Sequence, residues 1–270
     1  MSKNEAQFTL EGNKEYWNSP DVVSIIDSNL KELEIQFIQK FLKPEFVIAD
    51  IGCYDGYATR RFAEKVKYCF GIERSQNLLM KARADAKESG VKNIEFKAGD
   101  ILEFSGFDNP LDAVVTERVI INLPSWQLQQ KAIDNVHRAL RKGGIYVMVE
   151  NTHDGDDILN RYRGAVGLPP IPRHWHNFFL DYPEFLRFIK GKFEVVERTG
   201  FSLYYLLTRV YVQMFASFTG SGKNAKADPI FKKSDDAARR LHEAIGHLVE
   251  FKENEVLGPI QGIALRKVAD

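Results

Sequence analysis

From about residue 46, short runs of β-branched and aromatic residues alternate with longer stretches of helical spacing. The apolar runs predict strands over 46–51, 68–73, 93–97, 112–116 and 145–149. Helices are predicted between them, over 57–65, 76–89 and 126–140. Ser75 stands where a helix cap is expected, Pro124-Ser125 opens the third helix, and Gly90 and Gly143-Gly144 supply stops. The 145–149 run is apolar throughout, as suits a strand covered on both faces. Strand–helix–strand repetition implies crossover connections and a largely parallel sheet.

The pattern then loosens. Residues 152–190 carry Pro169, Pro170, Pro172 and Pro183 among aromatics and short helical pieces. A strand over 193–198 follows, then a helical region over 203–255 broken at Gly220-Ser221-Gly222 and Pro229, then a last strand over 261–268. The first 45 residues read as helical, with Ser19-Pro20 as a start and Pro44 as a stop. The expected organisation is an N-terminal helical cap over 1–45 and one domain over 46–270. That domain is α/β, a Rossmann-like, seven-stranded, mostly parallel sheet flanked by helices, with lid insertions at about 152–190 and 203–255.

Composition narrows the classes. The 270 residues are 44% hydrophobic and 27% charged, with 37 basic and 37 acidic side chains, so the formal net charge is zero. A dominant electrostatic grip on nucleic acid needs an excess of Lys and Arg, so no nucleic-acid partner is expected. Two cysteines, Cys53 and Cys69, make no disulfide framework and fit a reducing compartment. Neither an apolar run of about 20 residues nor an apolar leader is present, so a cytoplasmic protein without membrane association is expected.

The sharpest local feature is Val47-Ile48-Ala49-Asp50-Ile51-Gly52-Cys53-Tyr54-Asp55-Gly56, an apolar strand running through an acid into a glycine turn. Such turns lie where doubly wound sheets bind ligands. Tyr54 occupies the position where the dinucleotide fingerprint wants glycine, which disfavours a nicotinamide enzyme, and Gly220-Ser221-Gly222-Lys223 lacks the features of a phosphate loop. The segment from Asp50 to Gly56 instead resembles the first motif of class I S-adenosylmethionine-dependent methyltransferases. Glu73 follows where that family places an acid on the ribose hydroxyls. Ala98-Gly99-Asp100-Ile101 follows where it places an adenine acceptor and an apolar neighbour, and Leu140-Arg141-Lys142-Gly143-Gly144 precedes strand five as in the family.

The resemblance implies S-adenosyl-L-methionine as cofactor, with S-adenosyl-L-homocysteine as product. It implies cofactor contact at Asp50, Gly52, Cys53 and Gly56 in the turn, at Glu73 and Arg74, at Asp100 and Ile101, and at Glu117. Cys53 is read as a small side chain beside the cofactor, since methyl transfer needs no covalent enzyme intermediate.

In-line transfer to a hydroxyl calls for alignment and a base. His153 follows strand five at the sheet's carboxyl edge; His174 and His176 flank Trp175 in the lid region. His176 is the first candidate base and His153 the second, with Arg118, Asn122, His174 and Trp175 as acceptor contacts. Arg118 could grip an anionic acceptor, or pair with Glu117 or Glu150; Arg161, Arg163 and Arg173 add positive charge to the lid. Glu117 and Glu150-Asn151 stand near the positions that magnesium-dependent relatives fill with Asp and Asp-Asn, though both acids here are Glu; no metal is assigned. The stretch from Glu117 to Pro124, with Trp175-His176-Asn177 and Tyr204-Tyr205, loosely resembles bacterial surface-polysaccharide and sugar methyltransferases.

The reading is O-methylation of a sugar, sugar-nucleotide or other small polar or anionic acceptor. A small-amine N-methyltransferase and a non-catalytic cofactor-binding subunit are the alternatives, and homodimerisation stays open.

Overall fold

The computed structural model describes residues 8–19, 27–218, 229–248 and 256–268. Two N-terminal helices, α1 (Leu10–Asn18) and α2 (Ser28–Gln39), precede β1 (Val47–Ile51). Then follow α3 (Tyr57–Ala63), β2 (Tyr68–Glu73), α4 (Gln76–Ser89), β3 (Ile94–Ala98) and β4 (Leu111–Glu117). After a 3-10 turn at Ile120–Asn122 come α5 (Trp126–Ala139), β5 (Leu140–Asn151), α6 (His153–Ala165), α7 (Tyr182–Ile189) and β6 (Phe193–Gly200). The short α8 (Ser202–Tyr205) runs through a π-helical turn (Leu206–Tyr211) into α9 (Val212–Phe218); α10 (Pro229–Ile245) and β7 (Ile260–Lys267) complete the chain.

The seven strands form one sheet in the order β3-β2-β1-β4-β5-β7-β6. All pairings are parallel except those of β7, which runs antiparallel between β5 and β6. The strand order reverses between β1 and β4, so their carboxyl tips flank the crevice where such sheets bind ligands.

Alternate residues on each strand feed two cores. Ile48, Val115 and Val147 face the side covered by α2, through Leu33, Phe37 and Ile38. Ala49, Val114 and Met148 face α5 and α7, through Ile133, Val136, Phe185 and Ile189. α2 sits very close to the sheet: a Cβ added at Gly262 on β7 would fall 2.4 Å from Phe37. The absence of a side chain there is what lets the helix seat.

Several boundaries differ from expectation. Ser19 ends α1, Asp27 caps α2 by accepting the Leu30 N–H at 3.0 Å, and α2 stops at Gln39, before Pro44. Pro20 lies outside the described residues, as does the Gly220-Ser221-Gly222 linker. Pro229 opens α10 rather than breaking a helix, which suits a residue whose missing N–H is harmless in the first turn. Strand five begins at Leu140, not residue 145. The chain from Arg141 to Gly144 forms an irregularity opposite Asp112, whose carboxylate accepts from Arg141 at 2.7 Å and from the Val47 N–H at 2.8 Å. Among the described residues no helix is long and apolar enough to cross a membrane.

Gly262→Ala should lower stability by about 1–3 kcal/mol, the usual range for overpacking a core. Urea denaturation read by circular dichroism measures it.

Candidate active site

The carboxyl edge of the sheet opens into a cavity of about 810 Å³. Strand tips line one part of it. α2, the 171–179 segment, the π-helical turn and α10 line the rest.

At the tip of β1 the backbone turns left-handed at Gly52 (φ 75°), Tyr54 (φ 53°) and Gly56 (φ 72°). A Cβ on Gly52 would fall 2.4 Å from Val119, so glycine lets this turn pack directly on the segment after β4. Beside it, at the tip of β2, Glu73 is buried and faces the cavity. Its Oε2 accepts the Tyr54 N–H at 3.0 Å and its Oε1 the Ser75 N–H at 2.9 Å. Ser75 thus begins α4 as expected, but its hydroxyl makes no capping bond; its N–H serves to fix Glu73. Burial pushes the Glu73 pKa up, opposed by these two bonds. Each carboxylate oxygen keeps acceptor capacity toward the cavity, enough for a vicinal diol.

Past β3, Asp100 Oδ1 accepts the Leu102 N–H at 3.0 Å, while Oδ2 stands 4.0 Å from Arg74 and 3.9 Å from Lys14. Ile101 supplies an apolar wall. Gly52, Glu73, Arg74, Asp100, Ile101 and Glu117 all line the cavity.

The other three candidate residues of the 50–56 segment stand back from the main cavity. Asp50 lies beneath the cavity, where its carboxylate accepts the Thr59 hydroxyl at 2.6 Å. The Cys53 thiol is buried against the strand beneath it, and burial raises its pKa well above the ordinary thiol value. Gly56 leaves room for Phe96, 2.6 Å from where its Cβ would stand. All three shape the turn, and none lines the main cavity.

Three ion pairs cross the cavity from α2. Asp27, Lys31 and Glu34, spaced four and three residues apart on one helix face, bind Arg209 of the π-helical turn, Glu117 at the tip of β4 and Arg118 next to it. Arg118, itself left-handed (φ 56°), is therefore committed to Glu34, a partner absent from the sequence-based alternatives. The pairs bridge 182, 86 and 84 residues of chain. Helical spacing sets Lys31 and Glu34 among apolar positions of α2, but nothing local to the helix identifies their partners.

Glu150 is wholly buried, and its two oxygens accept the N–H groups of Val119 and Ile120, both at 3.1 Å, and Ile121 at 3.3 Å. It holds the 3-10 turn after β4. With Glu117 on Lys31, both acids weighed as magnesium ligands are engaged by the protein itself, and no metal-binding cluster occurs among the described residues.

The candidate histidines separate. His176 faces the cavity, 8% exposed, its ring stacked on Tyr16 at 4.4 Å and edge-on to Trp17 and Trp175. Burial and the neighbouring His174 hold its pKa down at about 4, so the ring is neutral at pH 7. His153 does not reach the cavity: it opens α6, its N–H donating to Leu180 at 3.1 Å and its ring lying against Phe179. Trp175 also stands back, buttressing Tyr16 and His176, whereas His174, Asn122 and Arg118 line the wall. Of the lid arginines, Arg163 holds the Pro169 and Arg209 carbonyls, and Arg173 binds Asp156 at 2.6 Å and Asp157 at 2.9 Å. Asn13 of α1 clips the lid by donating to the His176 carbonyl at 3.1 Å.

Burial raises the pKa of Asp50 to about 7, from an ordinary 3.8. A raised carboxyl pKa means the folded protein holds a proton that the unfolded chain releases. That contribution to stability is full at acid pH and is lost as pH rises through about 7. Between about pH 5 and pH 8 the wild type should therefore lose more stability than Asp50→Asn, measured by urea denaturation at both pH values.

Residues 48–144 match a family described as a methyltransferase domain. A protein named "Probable methyltransferase ltbC", from Aspergillus luteorubrus, is 31% identical over 138 residues, 47% of this chain and 47% of that one. The chain spans about half the length of the curated relatives it matches. Among solved structures, YcgJ from Bacillus subtilis superposes with a TM-score of 0.54 at 17% identity, over 88% of this chain and 100% of that one. The N-methyltransferase NodS from Bradyrhizobium japonicum WM9, in complex with S-adenosyl-L-homocysteine, superposes with a TM-score of 0.54 at 21% identity, over 71% and 89%. The two solved structures share the fold of this chain.

Proposed function

We propose that this chain, whose residues 48–144 are a methyltransferase domain on the class I fold, transfers the methyl group of S-adenosylmethionine to a hydroxyl of a small polar molecule held in the cavity. One observation carries the reading. A buried carboxylate, Glu73, is fixed by two backbone N–H groups at the tip of β2, beside a side-chain-free bend and an apolar wall. That set of acceptors and apolar surface matches an adenosine: Glu73 to accept from the ribose hydroxyls, Asp100 from the exocyclic amine, Ile101 against the ring. When bound, the cofactor supplies a methyl group activated on a sulfonium.

The chain's own contribution is placement and exclusion of water. Tyr16 and Trp17 from α1, with His174 and His176 from the lid, wall the cavity. Among the described residues the His176 Nδ1 has no hydrogen-bond partner. A ring with a pKa of about 4 accepts a hydrogen bond at neutral pH and orients a hydroxyl, but it is a weak proton acceptor. His176 is accordingly assigned to positioning the acceptor. A sugar or similar polyol suits the polar walls. The 1–45 segment is assigned as a cap and the 152–190 and 203–255 segments as lids, since α1, α2, 171–179 and α10 supply the cavity's outer walls.

Incubation with S-adenosylmethionine and a panel of sugars, sugar nucleotides and amino alcohols, with release of S-adenosylhomocysteine as readout, tests the activity. Glu73→Ala should weaken S-adenosylhomocysteine binding by about 1–3 kcal/mol in calorimetric titration, the worth of hydrogen bonds to a charged group. His176→Gln should keep that affinity within about twofold while turnover of the acceptor found in the panel falls roughly tenfold or more.

A further inference from the structure

The cavity away from the strand tips has an unusual charge inventory. Every arginine that lines it there is committed to a carboxylate: Arg118 to Glu34, Arg173 to Asp156 and Arg209 to Asp27. Lys31 is committed to Glu117. An anionic acceptor that drew on any of these four cations would leave a carboxylate uncompensated, which is strongly unfavourable; among the described residues the remaining cation on this side, Lys232 of α10, is exposed on the outer wall. Acidic capacity, by contrast, is left over. Glu34 is 0% exposed and lines the cavity; its Oε1 is held by Arg118, while among the described residues its Oε2 has no hydrogen-bond donor, Lys31 Nζ standing 3.9 Å away. Asn151 Oδ1 is a second buried oxygen on this wall without a donor among the described residues. Asp235 of α10, half-buried, adds a further carboxylate. The ring of Tyr205, buried, lines the same wall and suits a cation.

We propose that the acceptor carries a protonated amino group, and that this ammonium docks on Glu34 Oε2. The inference rests on the methyltransferase reading and narrows its acceptor to amino alcohols and amino sugars. It replaces the anionic acceptor expected from the lid arginines. An ammonium offers three donors and a full charge, so it satisfies the Glu34 oxygen and neighbouring acceptors while Arg118 keeps Oε1 and Lys31 Nζ stays 3.9 Å from Oε2.

The test uses the full chain saturated with S-adenosylhomocysteine, titrated with three fragments of matched size: ethanolamine, ethylene glycol and glycolate. Affinities are read by ligand-observed NMR. Ethanolamine is expected to bind at least about tenfold tighter than either of the others, and to lose that advantage in Glu34→Gln. Crystals of the wild-type complex soaked with ethanolamine should show its nitrogen within hydrogen-bond distance of Glu34 Oε2, which keeps the test intact if Glu34→Gln does not fold. Tighter binding of glycolate, equal binding of ethylene glycol, ethanolamine affinity unchanged in Glu34→Gln, or ethanolamine absent from Glu34 in the crystal would each overturn the proposal. Failure of S-adenosylhomocysteine to bind would instead overturn the methyltransferase reading, and the same titration series detects it before any fragment is added.

Discussion

Three partly buried ion pairs along one face of α2 and its cap hold the N-terminal region against the carboxyl edge of the sheet. Asp27, Lys31 and Glu34 each reach a partner that belongs to a different part of the wall, from the π-helical turn to the tip of β4. Taking such charges out of water is expensive, and apolar replacements would often be as stable. What the pairs add is registration: a slide or rotation of α2 would leave up to six charges unpaired at once. Beside these charges on the same inward side of the helix, Phe37 seats on the bare backbone of Gly262. Hydrophobic contact supplies adhesion, and the ion pairs fix position.

That registration determines the chemistry of the cavity. Because α2 and its cap bring two acids and one base, they pair Arg118 and Arg209, which face the cavity, and leave an oxygen of Glu34 without a hydrogen-bond donor among the described residues. The part of the cavity near the strand tips follows a different logic. There the order β2-β1-β4 brings three carboxyl tips side by side, and the left-handed turn after β1 delivers the Tyr54 N–H to Glu73. The strand-tip part is built by local backbone geometry and the α2 wall by contacts between distant segments.

The same distinction explains what could be read from the chain. Glu73, Asp100 and the glycine turn were legible because each sits at a strand end, and strand ends announce themselves by apolar runs stopping. The order of strands and helices was legible for the same reason. Glu34 and Lys31 were not: helical spacing sets them among apolar positions of α2, but the partners that allow charges there stand more than 80 residues away. Glu150 looked like a ligand for a metal by position; its acceptor bonds to three consecutive N–H groups of the turn after β4 depend on a register that sequence does not print. His153 lies at the right edge of the sheet, but as the first residue of α6 it is directed by that helix against Phe179 rather than into the cavity. Asp50, Cys53 and Gly56 were placed in the right turn, on its packed side.

The most direct test of the central claim, that Glu73 accepts both ribose hydroxyls of a bound adenosine, is calorimetric titration of the wild-type protein with adenosine and with 2′,3′-dideoxyadenosine. The account predicts that removing the two hydroxyls weakens binding by about 2–4 kcal/mol, as expected for lost hydrogen bonds to a charged acceptor. Equal affinity for the two nucleosides would contradict it.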